Sequence, residues 1–256
     1  MEIILNGACG RMGAAVIEAA KKRHVEISAC VDVRAGASNA GGMPFYRSLS
    51  EVKDPRGVLV DFSNHVSTAD ICAFARKNGL PCVIASTGHT ESELAMLRSL
   101  SQTNPVFVSG NMSLGISVLI DLCRTAVKAF GGDCDVEIIE KHHRNKLDSP
   151  SGTALMIANG IKPLLPEGTE YVTDRSDRRE IRPKNEIGIS SVRCGEIFGE
   201  HEVLIAHTGE VLSIKHTAQD RSLFAEGALT AAEFIAGKEN GWYSMRELLA
   251  EKANSQ

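Results

Sequence analysis

The stretch that decides the fold reads Ile3-Ile4-Leu5-Asn6-Gly7-Ala8-Cys9-Gly10-Arg11-Met12-Gly13. A short apolar run ends in a glycine-rich turn, and helical periodicity follows from Met12 to Lys22. A strand, a glycine turn and a helix start in this order predict a site for a dinucleotide pyrophosphate. One glycine makes the tight turn, one lets the backbone approach the phosphates, and one lets helix and strand pack closely. The helix N-terminus adds unpaired N–H groups and a partial positive charge.

The spacing of this turn is GxxGxxG, because Cys9 stands where the usual dinucleotide motif has its second glycine. Its position directly after the first strand strengthens the prediction, although a glycine-rich turn without a ligand is the alternative. Asp32 follows Gly13 by 19 residues, where a carboxylate is expected to bind the ribose hydroxyls. The other interpretation is an ordinary solvated aspartate at a strand end.

The identity of the cofactor depends on the charges near Asp32. A carboxylate disfavours a 2′-phosphate unless cations compensate, and Arg34 and Arg47 are the candidates, whereas the neighbouring Val33 is uncharged. The sequence therefore favours NADH, or use of both NADH and NADPH, over strict use of NADPH.

The first half of the chain alternates apolar runs with helical segments. The predicted strands are Ile3 to Leu5, Val25 to Val33, Gly57 to Phe62, Pro81 to Ala85 and Pro105 to Val108, with helices between them at Met12 to Lys22, Ser67 to Asn78 and Ser92 to Ser101. Continuous apolar strands separated by helices predict a parallel sheet covered on both faces. The ends of two later strands, Ala85-Ser86-Thr87-Gly88 and Ser109-Gly110-Asn111-Met112-Ser113, should then line the nucleotide crevice, unless they are simple turns.

The pattern changes after about Leu114. A helix from Ile116 to Phe130 and a strand from Asp135 to Glu140 precede a helix near Ser151, and consecutive strands follow between Tyr171 and Ile214. Runs of strands with few helices favour a mixed or antiparallel sheet. We therefore expect an α/β protein with a Rossmann-like nucleotide domain (residues 1–113) and an α+β domain (residues 114–221).

Composition limits the classes of function. The chain has 256 residues and a net charge of −4, so no global basic field indicates nucleic-acid or anionic-membrane binding. No apolar run approaches the roughly 18 to 20 residues of a membrane span, and the first residues do not resemble a signal peptide. Seven scattered cysteines without metal-ligand spacing suit a reducing cytoplasm and predict no metal site.

The segment from Glu140 to Ala154 carries the chemistry, and it reads EKHHRNKLDSPSGTA. Ser151 is a candidate N-cap, and the small residues after it expose backbone N–H groups that can hold a carboxylate. Lys146, Arg144 and His143 add positive charge, so the segment predicts a pocket for a small, doubly anionic substrate. His142 is suited to proton transfer near neutral pH. A solvated, charge-rich loop is the alternative.

The chain resembles the dihydrodipicolinate reductase family, whose enzyme is also called 4-hydroxy-tetrahydrodipicolinate reductase. The resemblance spans nearly the whole chain, and its most specific part is the pattern HHxxKxDxPSGT. The matching pieces are Gly7 to Gly13, Asp61-Phe62-Ser63, Ser86-Thr87-Gly88, Asn111 to Gly115, Glu137 to Ala154, Ser191-Val192-Arg193, Gly199-Glu200-His201 and Lys215-His216. Ala85-Ser86, Cys194 and Val33 depart from residues that are common in the family.

The resemblance implies roles for individual residues. His142 is implied as the general acid or base and Lys146 as a second proton donor or electrostatic stabiliser. The implied substrate-carboxylate ligands are His143, Lys146, Ser151, Gly152 and Thr153. The implied nucleotide contacts are Gly7, Ala8, Cys9, Gly10, Arg11, Met12, Asp32, Ala85, Ser86, Thr87, Ser109, Gly110, Asn111 and Met112.

The resemblance also implies the reaction. NADH or NADPH would transfer a hydride to a dicarboxylate cyclic imine, with loss of the 4-hydroxyl group as water and a proton from His142. It further implies a homotetramer built through the mixed sheet, with the C-terminal helical segment 222–256 returning to the nucleotide domain. The alternatives are a related reductase of another amino-acid-derived imine and a dinucleotide-sensing regulator without chemistry.

Overall fold

The computed structural model describes residues 1–35 and 43–254. It divides into two compact units. The first unit contains Met1–Leu114 and Arg221–Gln256, and the second contains Gly115–Asp220. These divisions lie one residue from those expected from the change of sequence pattern.

The first unit is built on a seven-stranded sheet in which every neighbouring pair is parallel. Its strands are β1 (Glu2–Asn6), β2 (Glu26–Val31), β3 (Phe45–Tyr46), β4 (Val58–Asp61), β5 (Cys82–Ile84), β6 (Pro105–Val108) and β12 (Gly241–Tyr243). Their spatial order is β12-β6-β5-β4-β1-β2-β3. The predicted parallel sheet is confirmed.

Helices cover both faces of this sheet. They are α1 (Arg11–Lys22), α2 (Thr68–Asn78), α3 (Glu91–Leu100), α6 (Ser222–Ile235) and α7 (Met245–Asn254). Ile3 and Leu5 of β1 pack in the core that contains α1 and α6, whereas Ile4 packs in the core that contains α2 and α3. Successive strand residues are therefore buried on opposite faces, which explains the continuous apolar runs.

The second unit contains a mixed five-stranded sheet. Its elements are α4 (Leu114–Ala129, which starts at the last residue of the first unit), β7 (Asp135–His142), α5 (Gly152–Ile161), β8 (Glu170–Val172), β9 (Glu186–Arg193), β10 (Gly199–His207) and β11 (Glu210–Ala218). The spatial order is β11-β10-β7-β9-β8. β10 is antiparallel to β7 and β11, and the β7–β9 and β8–β9 pairs are parallel. Residues of α4 and α5 pack with one face of this sheet in a common core.

The sequence predictions and the structure differ in several places, and β7 ends at His142 rather than at Glu140. β2 ends at Val31 rather than Val33, because the Asp32 side chain accepts the N–H of Arg34 and turns the chain. The segment 222–256 is not one helix: strand β12 interrupts it and joins the edge of the parallel sheet beside β6. The short strands β3, β8 and β12 and the helix α7 were not predicted individually, since their apolar periods are too short to recognise.

Helix α6 packs closely against the end of the first segment of this unit. A Cβ atom at Gly227 would overlap the carbonyl oxygen of Met112. At the same interface Arg23, which follows α1, donates to the side chains of Glu226, Thr230 and Glu233. The absence of a side chain at Gly227 thus sets the distance between α6 and the loop after β6.

We predict that Gly227→Ala lowers the free energy of unfolding by about 1 to 3 kcal/mol, because the methyl group forces α6 away from Met112. Urea denaturation measures the change. Gly237→Ala is the matched control, since a Cβ there meets no atom within 4 Å. Equal effects of the two substitutions would contradict the packing argument.

Candidate active site

The glycine turn of the first unit has the close contacts that a nucleotide-binding turn requires. Gly7 has a φ of +85°, and a Cβ there would lie 2.7 Å from the carbonyl carbon and oxygen of Phe62. A Cβ at Gly13 would overlap the carbonyl oxygens of Gly7 and Ala8. Gly7 therefore makes the tight turn, and Gly13 allows helix α1 to pack on it.

A cavity of about 450 Å³ lies beside this turn. Its lining includes Gly7, Gly10, Asp32, Arg34 and Arg47. Gly10 is the N-cap of α1, so the positive end of a helix dipole meets the cavity. The turn, the strand-end carboxylate and both cations named from the sequence therefore lie around one space.

Asp32 holds the edge of this cavity through hydrogen bonds. Its carboxylate accepts the backbone N–H of Cys9 (3.0 Å) and both the backbone N–H (2.9 Å) and Nε (3.0 Å) of Arg34. Burial raises the pKa of Asp32, but the hydrogen bonds from Arg34 and Cys9 outweigh it and leave the pKa below its ordinary value. The carboxylate is therefore ionised and paired with a guanidinium that is itself largely exposed.

A second carboxylate, Asp61 at the end of β4, links three strand ends. It is fully buried. Its Oδ1 accepts Asn6 Nδ2 (2.8 Å) and Ser63 Oγ (2.5 Å), and its Oδ2 accepts Ser86 Oγ (2.6 Å). The ends of β1, β4 and β5 are thus held by one acceptor. The sequence did not reveal this role for Asp61 and Asn6, although an aspartate directly after an apolar strand is a signal that could have found it.

The remaining residues implied as nucleotide contacts lie at the same carboxyl edge of the sheet, with differing exposure. Ala8 and Met112 are buried in the core, and the side chain of Met112 packs there rather than in the cavity. The loops after β5 and β6 are neighbours, since Thr87 Cγ2 lies 3.9 Å from the Cβ position of Gly110. Cys9 and Arg11 are exposed, Met12, Ala85, Ser109 and Asn111 are half-buried, and Ser86 is buried.

In the second unit, the alternation of β7 places its chemistry-bearing residues on the buried face. Val136, Ile138, Glu140 and His142 alternate with more exposed neighbours, as side chains on one face of a strand must. Glu140 is fully buried, and His142 is 8% exposed. The start of the charge-rich segment is therefore packed on the sheet and not solvated.

The Glu140 carboxylate collects donors from three parts of the second unit. Its Oε2 accepts His142 Nδ1 (2.6 Å) and Arg193 Nη1 (2.8 Å). Its Oε1 accepts Arg193 Nη2 (2.8 Å) and the backbone N–H of Ser151 (3.1 Å). Burial raises the pKa of Glu140, but the hydrogen bonds from Arg193 and His142 outweigh it and bring the pKa to about 2.

His142 lies between opposing influences on its proton. Burial lowers the pKa of its imidazole, and the charges of Lys146 and Arg193 lower it further, whereas Glu140 raises it. The net result is a pKa below the ordinary value. The ring of His201 packs edge-on against that of His142, with 5.2 Å between centroids.

Helix α5 begins beside this cluster with Ser151 as its N-cap, as predicted from the sequence. Ser151 Oγ accepts the N–H of Ala154 (3.1 Å) and is 3.1 Å from Nε2 of His201. Gly152 is exposed, and a Cβ there would meet no atom within 4 Å. Gly152 and the half-buried Thr153 therefore form the exposed, positively polarised start of α5.

The cations of the loop before α5 differ in their surroundings. Lys146 Nζ pairs with Asp148 (2.8 Å) and is 22% exposed. His143 Nδ1 is buried and has no hydrogen-bond partner among the described residues. Arg144 is exposed, and its backbone N–H donates to Gly195. His143 and Lys146 therefore offer a polar atom and a charge near the helix start.

Comparison with known proteins identifies the family of this chain. Residues 1–112 match the family model described as dihydrodipicolinate reductase, N-terminus, and residues 115–249 match the one described as dihydrodipicolinate reductase, C-terminus. The chain belongs to the dihydrodipicolinate reductase family. The resemblance inferred from the sequence is thereby confirmed.

Relatives of this family match along nearly the full length of the chain. One from Caldanaerobacter subterraneus subsp. tengcongensis, named 4-hydroxy-tetrahydrodipicolinate reductase, is 45% identical over 97% of this chain and 98% of its own. A protein of the same name from Clostridium tetani is 41% identical over 96% of this chain and 95% of its own.

Solved structures share the fold of the dihydrodipicolinate reductase family member described here. A dipicolinate-bound dihydrodipicolinate reductase from Paenisporosarcina sp. TG-14 has a TM-score of 0.80 at 22% identity, covering 95% of this chain and 97% of that one. A probable dehydrogenase from Thermotoga maritima has a TM-score of 0.67 at 12% identity, covering 97% and 92%.

Two further observations concern residues 1–35 and 43–254 of this family member. No helix there is long and apolar enough to cross a membrane. In the same ranges, no three His, Cys, Asp or Glu side chains form a group that could hold a metal ion.

We predict that buried His201 makes the second unit sensitive to acid. Burial lowers its pKa to about 4, whereas the unfolded chain binds this proton near pH 6.5. As the pH falls from 7 to 5 the unfolded state is protonated first, so wild type should lose about 2 kcal/mol that His201→Asn does not lose. Urea denaturation at both pH values measures the difference, and His24→Asn, an exposed histidine, is the control. Parallel losses in wild type and His201→Asn would refute the assignment.

Proposed function

We propose that this chain catalyses the reduction of 4-hydroxy-tetrahydrodipicolinate to tetrahydrodipicolinate with NADH or NADPH, a step of lysine and diaminopimelate biosynthesis. Membership of the family supports the activity, since relatives of that name match over 95% or more of both chains at 41 and 45% identity. The observation that carries the proposal is the buried pair of Glu140 and His142 beside the open start of helix α5.

The first unit fits a dinucleotide cofactor. Gly7 and Gly13 leave space that a Cβ atom would fill, and Gly10 starts helix α1 beside the cavity that Asp32 borders. The phosphates are assigned to the turn from Gly7 to Met12 and the ribose to Asp32. The loops that contain Ala85 to Thr87 and Ser109 to Met112 complete the proposed contacts. A bound reduced nicotinamide supplies the hydride.

The proton is assigned to His142. The ionised Glu140 is only an acceptor, so Nδ1 of His142 carries hydrogen and Nε2 is the nitrogen that gains and releases a proton. The lowered pKa makes the imidazolium a strong acid. A dianionic substrate would bring negative charge to the site and raise this pKa, so substrate binding favours protonation of the acid. Lys146 adds a positive charge or a second proton donor.

The two carboxylates of the substrate are assigned to the start of helix α5 and the loop before it. Gly152 and Thr153 begin helix α5 at its positive end, and Ser151 is the N-cap residue there. His143 and Lys146 add a buried ring nitrogen and an ammonium group. A dicarboxylate satisfies these groups better than a neutral imine does, which supports a dicarboxylate substrate.

The proposal also covers the oligomeric state of the protein and its location in the cell. A homotetramer formed through the sheet of the second unit is supported by exposed Val192, Val211 and Leu212 on β9 and β11. A cytoplasmic location is supported by seven free cysteines, and a small molecule rather than nucleic acid or a membrane by the net charge of −4. Analytical ultracentrifugation tests the tetramer.

We predict that the enzyme oxidises NADH with freshly prepared 4-hydroxy-tetrahydrodipicolinate, and that His142→Ala lowers kcat by roughly 10² to 10³. NADH affinity should stay unchanged, because His142 belongs to the second unit. His207→Ala is the control, a histidine at the far end of β10 that stacks on Phe130. Absence of turnover in wild type refutes the proposed function, and a wild-type kcat in His142→Ala refutes the assignment of the acid.

We predict that Arg34 decides how well NADPH binds. Its guanidinium can leave Asp32 partly and bind a 2′-phosphate, so Arg34→Gln should weaken NADPH binding about tenfold and NADH binding by less than about twofold. Titration of protein fluorescence with each cofactor measures both affinities. Arg56→Gln is the matched control, because Arg56 also pairs with an aspartate two residues earlier but does not line the cavity. Equal losses for the two cofactors would contradict the role of Arg34.

A further inference from the structure

We propose that Glu140 is a positioning residue for this reaction: its buried carboxylate selects the ring nitrogen of His142 that exchanges the proton and ties that ring to the start of helix α5. The inference rests on the proposed function for its catalytic meaning. Its structural content, the tautomer and the pairing of His142, can be tested without turnover.

The burial of Glu140 needs an explanation beyond stability. A fully buried carboxylate loses several kcal/mol of hydration, and a buried ion pair is often no more stabilising than apolar residues of the same volume. Val136 and Ile138 show that this face of β7 accepts apolar side chains. A charged residue at position 140 therefore destabilises the fold unless its contacts offset the lost hydration.

The contacts of Glu140 divide into one that ionises it and two that place reactive groups. Arg193 binds both carboxylate oxygens at 2.8 Å and keeps them charged. The same carboxylate accepts His142 Nδ1 at 2.6 Å and the backbone N–H of Ser151 at 3.1 Å. Arg193 also donates to the carbonyl oxygen of Asp148 at 2.6 Å, which links the loop that carries Lys146 to the same pair.

The geometry leaves one protonation pattern for the neutral imidazole. An ionised carboxylate has no hydrogen to donate, so the hydrogen between Glu140 and His142 resides on Nδ1. Nε2 then presents its lone pair on the other side of the ring. On that side lies Gly199, where an added Cβ would be 3.2 Å from Nε2. Any larger residue at position 199 would crowd the ring, so this glycine preserves the orientation that Glu140 selects.

Among the charged groups around His142, Glu140 is the one that favours the protonated ring. The positive charge of Arg193, on β9, lowers the pKa of His142. Lys146, in the loop after β7, lowers it as well, and its partner Asp148 offsets part of that charge. From β10 His201 packs against the ring, and His216 of β11 lies near His201. Against burial and these cations, Glu140 is the group that raises the pKa of His142.

Two substitutions should therefore move His142 in opposite directions. Glu140→Gln removes the charge that favours the imidazolium, so the alkaline limb of the kcat/KM profile should move to lower pH, with kcat at pH 7.5 falling roughly 10²-fold. Arg193→Gln removes a charge that opposes the imidazolium and leaves Glu140 in place, so the limb should move to higher pH. A purely structural role of the pair predicts reduced activity in both variants with no opposite shifts.

The matched control is Glu200→Gln. Glu200 lies on β10 and forms ion pairs with Lys141 and Lys215, but it does not contact His142. Its variant should leave the pH profile unchanged. NADH titration reports whether each variant retains a folded first unit. Glu140→Asp keeps the charge but shortens the side chain, so its kcat should fall. Its alkaline limb should lie closer to the limb of wild type than the limb of Glu140→Gln does.

A second measurement observes the wild-type protein directly and needs no turnover. Nitrogen-15 NMR of histidine-labelled protein, with His142→Asn for assignment, distinguishes the two neutral tautomers of His142. We expect hydrogen on Nδ1. Hydrogen on Nε2 would overturn the proposal, as would an unshifted profile in Glu140→Gln. If wild type does not reduce 4-hydroxy-tetrahydrodipicolinate but its tautomer is Nδ1–H, the proposed function fails and the pairing stands.

Discussion

Each unit of this protein is organised around a buried carboxylate that must be satisfied by hydrogen bonds. Asp61 in the first unit and Glu140 in the second are both fully buried. A carboxyl group in such a place is tolerated only when hydrogen-bond partners surround it. The donors come from different strands and loops, so meeting this requirement fixes the positions of segments that have no other reason to meet.

In the first unit the requirement orders the carboxyl edge of the parallel sheet. Asn6, Ser63 and Ser86 follow or end three neighbouring strands, and all three donate to Asp61. Asp32 does the same on the next strand, where it accepts the N–H of Cys9. Loops that would otherwise be free to move are thereby held at the edge where α/β proteins bind nucleotides.

In the second unit, the hydrogen bonds that the buried Glu140 requires position the groups that are proposed to carry out the reaction. Glu140 holds His142, Arg193 and the first N–H before helix α5 around one group. Burial lowers the pKa of His142, and the positive charges of Lys146 and Arg193 lower it further. In the empty site these effects disfavour the protonated form of His142. An anionic substrate would bring negative charge and favour that form. In the proposed reaction, substrate binding and acid catalysis are therefore coupled by electrostatics.

Local signals in the sequence determined the parallel sheet, the glycine turn, the Asp32 strand end and the helix start at Ser151, because each depends on residues close together in the chain. The sequence did not place His142 on one strand face with Glu140, because the strand was expected to end at Glu140, whereas β7 continues to His142. Only the tertiary structure decided that Arg193 and His201 join them, because their strands β9 and β10 flank β7 through a register that no local pattern encodes. It also decided that segment 222–256 contains a strand, since β12 exists only by pairing with the exposed edge of β6.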